Sequence, residues 1–194
     1  ATTADVEAYE LVIRGRALTA QRGRPILEAI TCFERALALA PNYVPALAGL
    51  GNALRVKWQY GFATPQECLP LARATLLRAL ELAPENAEAT GHLAAVLLNS
   101  GVNDAQVFQL WERALELDPR LSEVRALYGG WGLGIIRQGR DDTRAVAELR
   151  RAIADDPRNP ICCIIVAIAF GGIGLLHEAV AAATRGCEID PNAF

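Results

Sequence analysis

Apolar residues recur at spacings of three and four along nearly the whole chain, and the recurrence is interrupted at intervals by proline. Such spacings place side chains on one helical face, so the pattern predicts paired α-helices and no strand. One helix ending appears five times. It reads ERALALAP to Pro41, LRALELAP to Pro84, ERALELDP to Pro119, RRAIADDP to Pro157 and RGCEIDP to Pro191. The intervals between these prolines are 43, 35, 38 and 34 residues. Proline cannot continue the hydrogen-bond ladder of the helix before it, so each one sets a corner. The first helix of each unit (A) is expected near 5–20, 43–58, 87–99, 121–138 and 160–172. The second (B) is expected near 25–39, 65–82, 103–117, 142–155 and 175–189.

A second signature lies inside the B helices: a small residue, a larger one four later, and a small one three after that. The sets are Ala29, Phe33, Ala36; Ala72, Leu76, Ala79; Val107, Trp111, Ala114; Ala145, Leu149, Ala152; and a degraded Ala179, Ala183, Gly186. Small residues let a neighbouring helix approach while the bulky one fills the gap. Each A helix carries a Leu-Gly-like pair: Leu50-Gly51, Leu93-Ala94, Tyr128-Gly129 and Val166-Ala167, with Arg14-Gly15 departing in the first unit. Thr64-Pro65-Gln66-Glu67 is a capping box with proline at the first helical position. Asn103-Asp104 and Asp141-Asp142 offer further N-caps.

Taken together, Leu47, Leu50, Gly51, Leu54, Ala72, Leu76 and Pro84 resemble the tetratricopeptide (TPR) motif, with Leu in both aromatic slots. The resemblance implies an all-α, right-handed α-solenoid of about five helix-turn-helix hairpins. It forms a single array over 1–194, with repeats near 5–41, 42–84, 85–119, 120–157 and 158–191, and 192–194 opening a truncated next repeat. The second unit carries an insertion around Lys57–Ala63, and the fourth one around Gly129–Gly134. With these insertions, AYELVIRGRAL, FERALALAPNYVPALAGLGNAL and WQYG are similar to TPR arrays attached to bacterial signalling proteins: winged-helix regulators, nucleotide cyclases and Ser/Thr kinases.

Composition narrows the chemistry. The net charge of −3 supplies no basic stripe for nucleic acid, and Arg14, Arg16, Arg22 and Arg24 read as a solvated hairpin end. The uncharged run Ile161–Leu176 falls short of the roughly 20 residues a membrane span needs and is broken by Gly171, Gly172 and Gly174. No membrane partner is expected. The cysteines Cys32, Cys68, Cys162, Cys163 and Cys187 are odd in number and lack metal-ligand spacing, so buried free thiols in a reducing cytoplasm are expected. The chain contains no Met, which leads to the expectation that it begins inside a longer protein or after processing.

No catalytic constellation emerges. His92 and His177 are far apart in sequence, and the glycine runs neither follow a strand nor end in Gly-Lys-Ser/Thr. Cys187 with His177 is the one conceivable nucleophile pair, against a buried structural thiol. No enzyme activity, cofactor or metal is expected. The expected site is a concave groove walled by the A helices, with candidate positions Asn52, Arg55, Ala95, Leu98, Asn99, Ala126, Gly130, Ile164 and Ile168. These wall residues are expected to add little to the core. TPR proteins that hold a chaperone's C-terminal carboxylate use cations and amides there; Ala48, Glu123 and Leu127 in those places disfavour that mode. Such a wall suits an extended or amphipathic segment anchored by apolar side chains, although the Ile positions would equally be core beneath a sixth repeat. Trp58, Tyr60 and Phe62 form either a contact patch or packing for the long loop.

The reading is an interaction scaffold or sensory module of a bacterial cytoplasmic signalling protein. Its partner would be a peptide segment, another protein or an adjacent domain of the same chain. The alternative is a self-assembly segment whose solenoid ends stack, giving a homo-oligomer through an apolar, uncapped C-terminal end.

Overall fold

In the computed structural model the described residues are 3–102, 105–132 and 143–191. They form helices α1 (Thr3–Gln21), α2 (Pro25–Leu39), α3 (Val44–Gln59), α4 (Pro65–Leu82), α5 (Ala87–Asn99), α6 (Ala105–Leu117), α7 (Ser122–Leu127), α8 (Thr143–Asp155), α9 (Pro160–Gly172) and α10 (Leu176–Ile189). No strand occurs among the described residues. The fold class is therefore all-α, as the spacing of apolar positions predicts.

Each corner between units is built the same way. The backbone N–H of Ala40, Ala83, Asp118, Asp156 and Asp190 donates to the carbonyl four residues earlier, which satisfies one open carbonyl of the ending helix. Proline follows at once. Tyr43, Asn86, Leu121 and Asn159 then donate to the carbonyls of Ala40, Ala83, Asp118 and Asp156. That closes a four-residue turn with proline in the second place, where its fixed φ is preorganised.

Helix starts are similarly local. The capping box forms: Thr64 N–H donates to Glu67 Oε2 at 2.8 Å and Glu67 N–H to Thr64 Oγ1 at 3.3 Å. Asn86 accepts from Ala89 N–H, and Asn159 from Ile161 and Cys162 N–H. The caps expected at Asn103-Asp104 and Asp141-Asp142 lie outside the described residues.

The chain divides into two compact units, Ala1–Asn103 and Asp104–Phe194. In the first, α1–α2 and α3–α4 are antiparallel hairpins; α3 also packs on α1, α2 and α5, and α5 on α4. Phe33 explains the spacing rule. A Cβ added at Gly15 would lie 2.8 Å from its ring, and one added at Gly49 2.4 Å from it. The ring is therefore clamped between its own A helix and the next. Gly15 thus fills the close-approach slot although Arg14 departs from the motif. Gly51 does the same for Leu76, where an added Cβ would come to 2.4 Å.

In the second unit α9–α10 is a hairpin, and α7 packs on α6, α8 and α9. Leu149 sits against Gly129, with Ala145 O 3.1 Å from where a Cβ would be. One expectation needs correcting. The fourth A helix is not a plain α-helix from 121 onward, because α7 passes into a π turn at Tyr128–Gly132. The insertion begins there, and its end, with Leu133 and Gly134, lies outside the described residues.

Candidate functional site

The A-helix positions proposed as a groove wall do not share one environment. Asn52 and Arg55 are buried on α3, where every residue from Ala46 to Val56 is buried. The cause is that α3 lies among α1, α2, α4 and α5. Arg55 Nη2 donates to Asn52 Oδ1 at 2.8 Å and Nη1 to Gln59 Oε1 at 2.9 Å, which forms a ladder along one helix face. Arg16 of α1 reaches Glu88 of α5 at 2.5 Å, so an ion pair joins the two A helices that flank α3. Its neighbour Arg14 pairs with Glu28. On α5, Ala95 and Leu98 are buried and Asn99 half-buried. In the second unit Ala126 and Gly130 are buried, because α7 and the π turn pack on α8 and α9.

The expectation that wall residues add little to the core is therefore wrong for Asn52, Arg55, Ala95, Leu98, Ala126 and Gly130. Ile164 is half-buried and Ile168 is 51 % exposed. Leu98→Ala should lower unfolding stability by about 2–3 kcal/mol, near the low end for deleting a buried Leu. Urea denaturation is the check, and a change below about 0.5 kcal/mol would return Leu98 to the surface.

The aromatic segment is an ordered turn. Tyr60 N–H donates to Val56 O, Gly61 N–H to Trp58 O at 2.8 Å and Phe62 N–H to Lys57 O at 3.1 Å. Gly61 has φ +71°, a conformation glycine takes without cost. The capping box of α4 follows at once. This framework leaves Tyr60 42 % and Phe62 37 % exposed, with Trp58 half-buried.

A feature not anticipated from the sequence lies in the second unit. A cavity of about 370 Å³ is bounded by α6, the Pro119 corner, α7, the π turn and α8. Tyr128 Oη donates to Glu112 Oε1 at 2.8 Å, and Arg144 Nη2 donates to the same oxygen at 2.8 Å while its guanidinium lies 5.5 Å from the Tyr128 ring centre. The Tyr128 hydroxyl, then Arg144, hold the Glu112 carboxyl below its usual range. Burial, then the bond to Glu112, pushes the Tyr128 hydroxyl well above its own. Arg125 is buried and bonds Glu148 Oε2 at 2.6 Å and Pro119 O at 2.7 Å, with Asp155 Oδ2 3.4 Å from its Nε. The cavity is thus lined by fixed, mutually paired charges, and neither Glu112 nor Tyr128 is tuned to exchange a proton near neutrality. One signal for it does exist in the sequence. Arg125 puts a charge in the slot that the uncharged Leu11, Leu47, Thr90 and Cys163 fill in the other units.

The remaining chemistry-bearing residues are scattered. Cys32, Cys68, Cys162 and Cys163 are buried, and burial pushes the Cys162 thiol up to about 12. Cys187 is exposed, contrary to expectation, in the slot held by Leu37, Leu80, Leu115 and Ile153. It lies ten residues from the exposed His177 on α10, roughly 15 Å along the helix axis, so the two do not pair. No cluster of metal-ligating side chains occurs among the described residues, and no described helix is long and apolar enough to cross a membrane.

No family model matches the sequence, and no curated protein matches it. Solved structures do match. TTC0263, a thermophilic TPR protein of Thermus thermophilus, is similar over 95 % of this chain and 92 % of its own, at 21 % identity and a TM-score of 0.68. An O-GlcNAc transferase of Thermobaculum terrenum is similar over 79 % of this chain and 27 % of its own, at 23 % identity and a TM-score of 0.57. At those identities the likeness speaks of fold. Five helix endings on one plan, glycines that admit Phe33, Leu76 and Leu149, and these matches together assign the chain to the tetratricopeptide-repeat fold.

Proposed function

We propose that the chain is a protein–protein interaction scaffold that takes an apolar segment of another polypeptide. The observation that carries this reading is the turn after α3. Backbone hydrogen bonds hold it, and it presents Tyr60 and Phe62 to solvent. Aromatic side chains held on a rigid frame give contact area at little entropic cost, and they are frequent anchors of binding energy. In the second unit the half-exposed Ile168, with Ile164 beside it, is the part of the expected groove that remains accessible. The wider role, a sensory module of a bacterial cytoplasmic signalling protein that binds a peptide or an adjacent domain, is supported by the resemblance of the AYELVIRGRAL and WQYG segments to arrays in such proteins.

Selection of a displayed random-peptide library on the chain tests the reading. Enriched peptides should be rich in apolar side chains. Their Kd should rise at least about tenfold, 1.4 kcal/mol, in Tyr60→Ser/Phe62→Ser or in Ile168→Asp, with thermal melts unchanged. Failure to enrich any peptide, or affinities indifferent to both variants, would overturn it.

A further inference from the structure

The charged cavity of the second unit is neutral in sum but not in detail. Its wall holds Glu112, Glu116 and Glu148 against Arg125, Arg144 and Arg151. Local spacing produces this arrangement. Glu112 and Glu116 lie one turn apart on α6, and Arg144, Glu148 and Arg151 stand at i, i+4 and i+7 on α8, so each set shares a helix face. Depth is graded as well. Arg125 and Tyr128 are buried, Glu148 and Glu112 keep 21 % and 41 % of their side-chain surface wet, and Glu116 and Arg151 are exposed at the rim.

Internal pairing leaves part of this chemistry unused. Tyr128 Oη and Arg144 Nη2 both donate to Oε1 of Glu112, so its Oε2 is open among the described residues. Arg125 Nη1 donates to Oε2 of Glu148 and leaves the Oε1 open in the same way. An ionised carboxylate accepts at both oxygens, and Glu112 is held in that form by its two donors. On the donor side, Arg125 Nε is buried without a hydrogen-bond acceptor, Asp155 Oδ2 at 3.4 Å serving it only as an ion pair. Such orphaned buried donors are rare in folded proteins. Glu116 and Arg151 pair only loosely, each at 3.4 Å along its own helix, with Arg113 and Asp155. The floor itself is firm, since the Tyr128 ring lies 6.0 Å from that of the buried Trp111. Tyr128 also opens the π turn, a local widening that is frequent at functional sites.

The cavity holds about 370 Å³, near the lower bound of roughly 300 Å³ for small-molecule pockets, so its ligand is small. A ligand of one charge would satisfy one set of groups and confront the other with its own sign. A dipolar ligand meets both. We infer that the cavity binds a free α-amino acid, its ammonium received by Glu112 and Glu116 and its carboxylate by Arg151 and Arg125. Leu115 and Pro119, the apolar members of the wall, favour an aliphatic side chain. A peptide terminus carries only one of the two charges and would leave half the wall unmet. The cavity shares no residue with the aromatic turn or Ile168 and stands apart from the peptide-binding reading.

Calorimetric titration of the chain with free glycine, alanine, valine and leucine tests the inference. At least one should bind saturably, with a Kd of about 1 mM or tighter. Its methyl ester and its N-acetyl derivative should each bind at least about tenfold more weakly, the loss expected for a hydrogen bond to a charged group. Glu116→Gln and Arg151→Gln, both at exposed positions, should each raise the Kd at least about tenfold, with circular dichroism and melting unchanged. Three results would overturn the proposal. One is the absence of saturable binding up to about 50 mM. Another is an ester or N-acetyl derivative that binds as tightly as its parent, which would make this a site for a single charge. The third is an affinity unmoved by either variant, which would put the ligand elsewhere on the chain.

Discussion

Phe33→Ala is expected to lower the unfolding free energy by about 3–5 kcal/mol, the range for emptying a fully buried aromatic site. The upper part of that range applies because the ring is held from two sides, by Gly15 of α1 and Gly49 of α3, so neither helix can collapse into the space without leaving its other contacts. The reverse change is informative as well. Gly49→Ala places a methyl 2.4 Å from the ring and should cost about 1–3 kcal/mol by overpacking. Combined with Phe33→Leu, the residue type found at Leu76 and Leu149, the alanine should be tolerated. The double-mutant cycle should then show a favourable coupling of about 1 kcal/mol or more. Guanidinium denaturation of the four proteins measures it. Simple additivity would mean that Phe33 does not bridge the two helices.

Arg125→Met is expected to cost about 3–4 kcal/mol. Removing one partner of a buried ion pair leaves the other charge uncompensated, typically at 3–5 kcal/mol. Here Glu148 and Asp155 keep 21 % and 33 % of their side-chain surface wet, which moderates the loss. The Pro119 carbonyl also loses its donor. The double variant Arg125→Met/Glu148→Leu should recover much of the loss, because a packed apolar pair replaces the paired charges at small net cost. Thermal and denaturant unfolding of the three proteins are the measurement. A single variant as stable as the parent would mean that water, not Glu148, balances the guanidinium.

The helices and their corners were legible because they rest on local rules. Proline after Ala40 or Asp118 stops a helix whatever surrounds it, and Thr64 with Glu67 caps one from neighbouring residues alone. The close approach of Gly49 and Gly51 to Phe33 and Leu76 could likewise be read from size and spacing. Exposure could not. Register says that Asn52, Ala95 and Gly130 share a helix face with Ile168, but whether that face is wet depends on what packs beside it. It is closed on α3, which packs against α1, α2, α4 and α5, and open on α9 at Ile168. The charged cavity was missed for a related reason. Glu112, Arg125, Tyr128, Arg144 and Glu148 meet only through tertiary packing, and each alone looks like an ordinary helix residue. Arg125, a charge in a slot that is uncharged in the other units, was the local anomaly.

The π turn at Tyr128–Gly132 bears on how such a chain can change length. A turn closed from residue i to i+5 holds one residue more than an α turn. An added residue can therefore be stored as a local bulge, and the side chains on either side keep their directions. The spacing between repeat-ending prolines rises to 38 residues in this unit, against 35 and 34 in its neighbours, and part of that excess begins inside the helix itself. Gly129 and Gly130 in the bulge carry no Cβ to oppose the widened backbone. Insertions in this architecture are thus not confined to surface loops. They can enter the wall of a repeat and leave the stacking of Leu149 on Gly129 undisturbed.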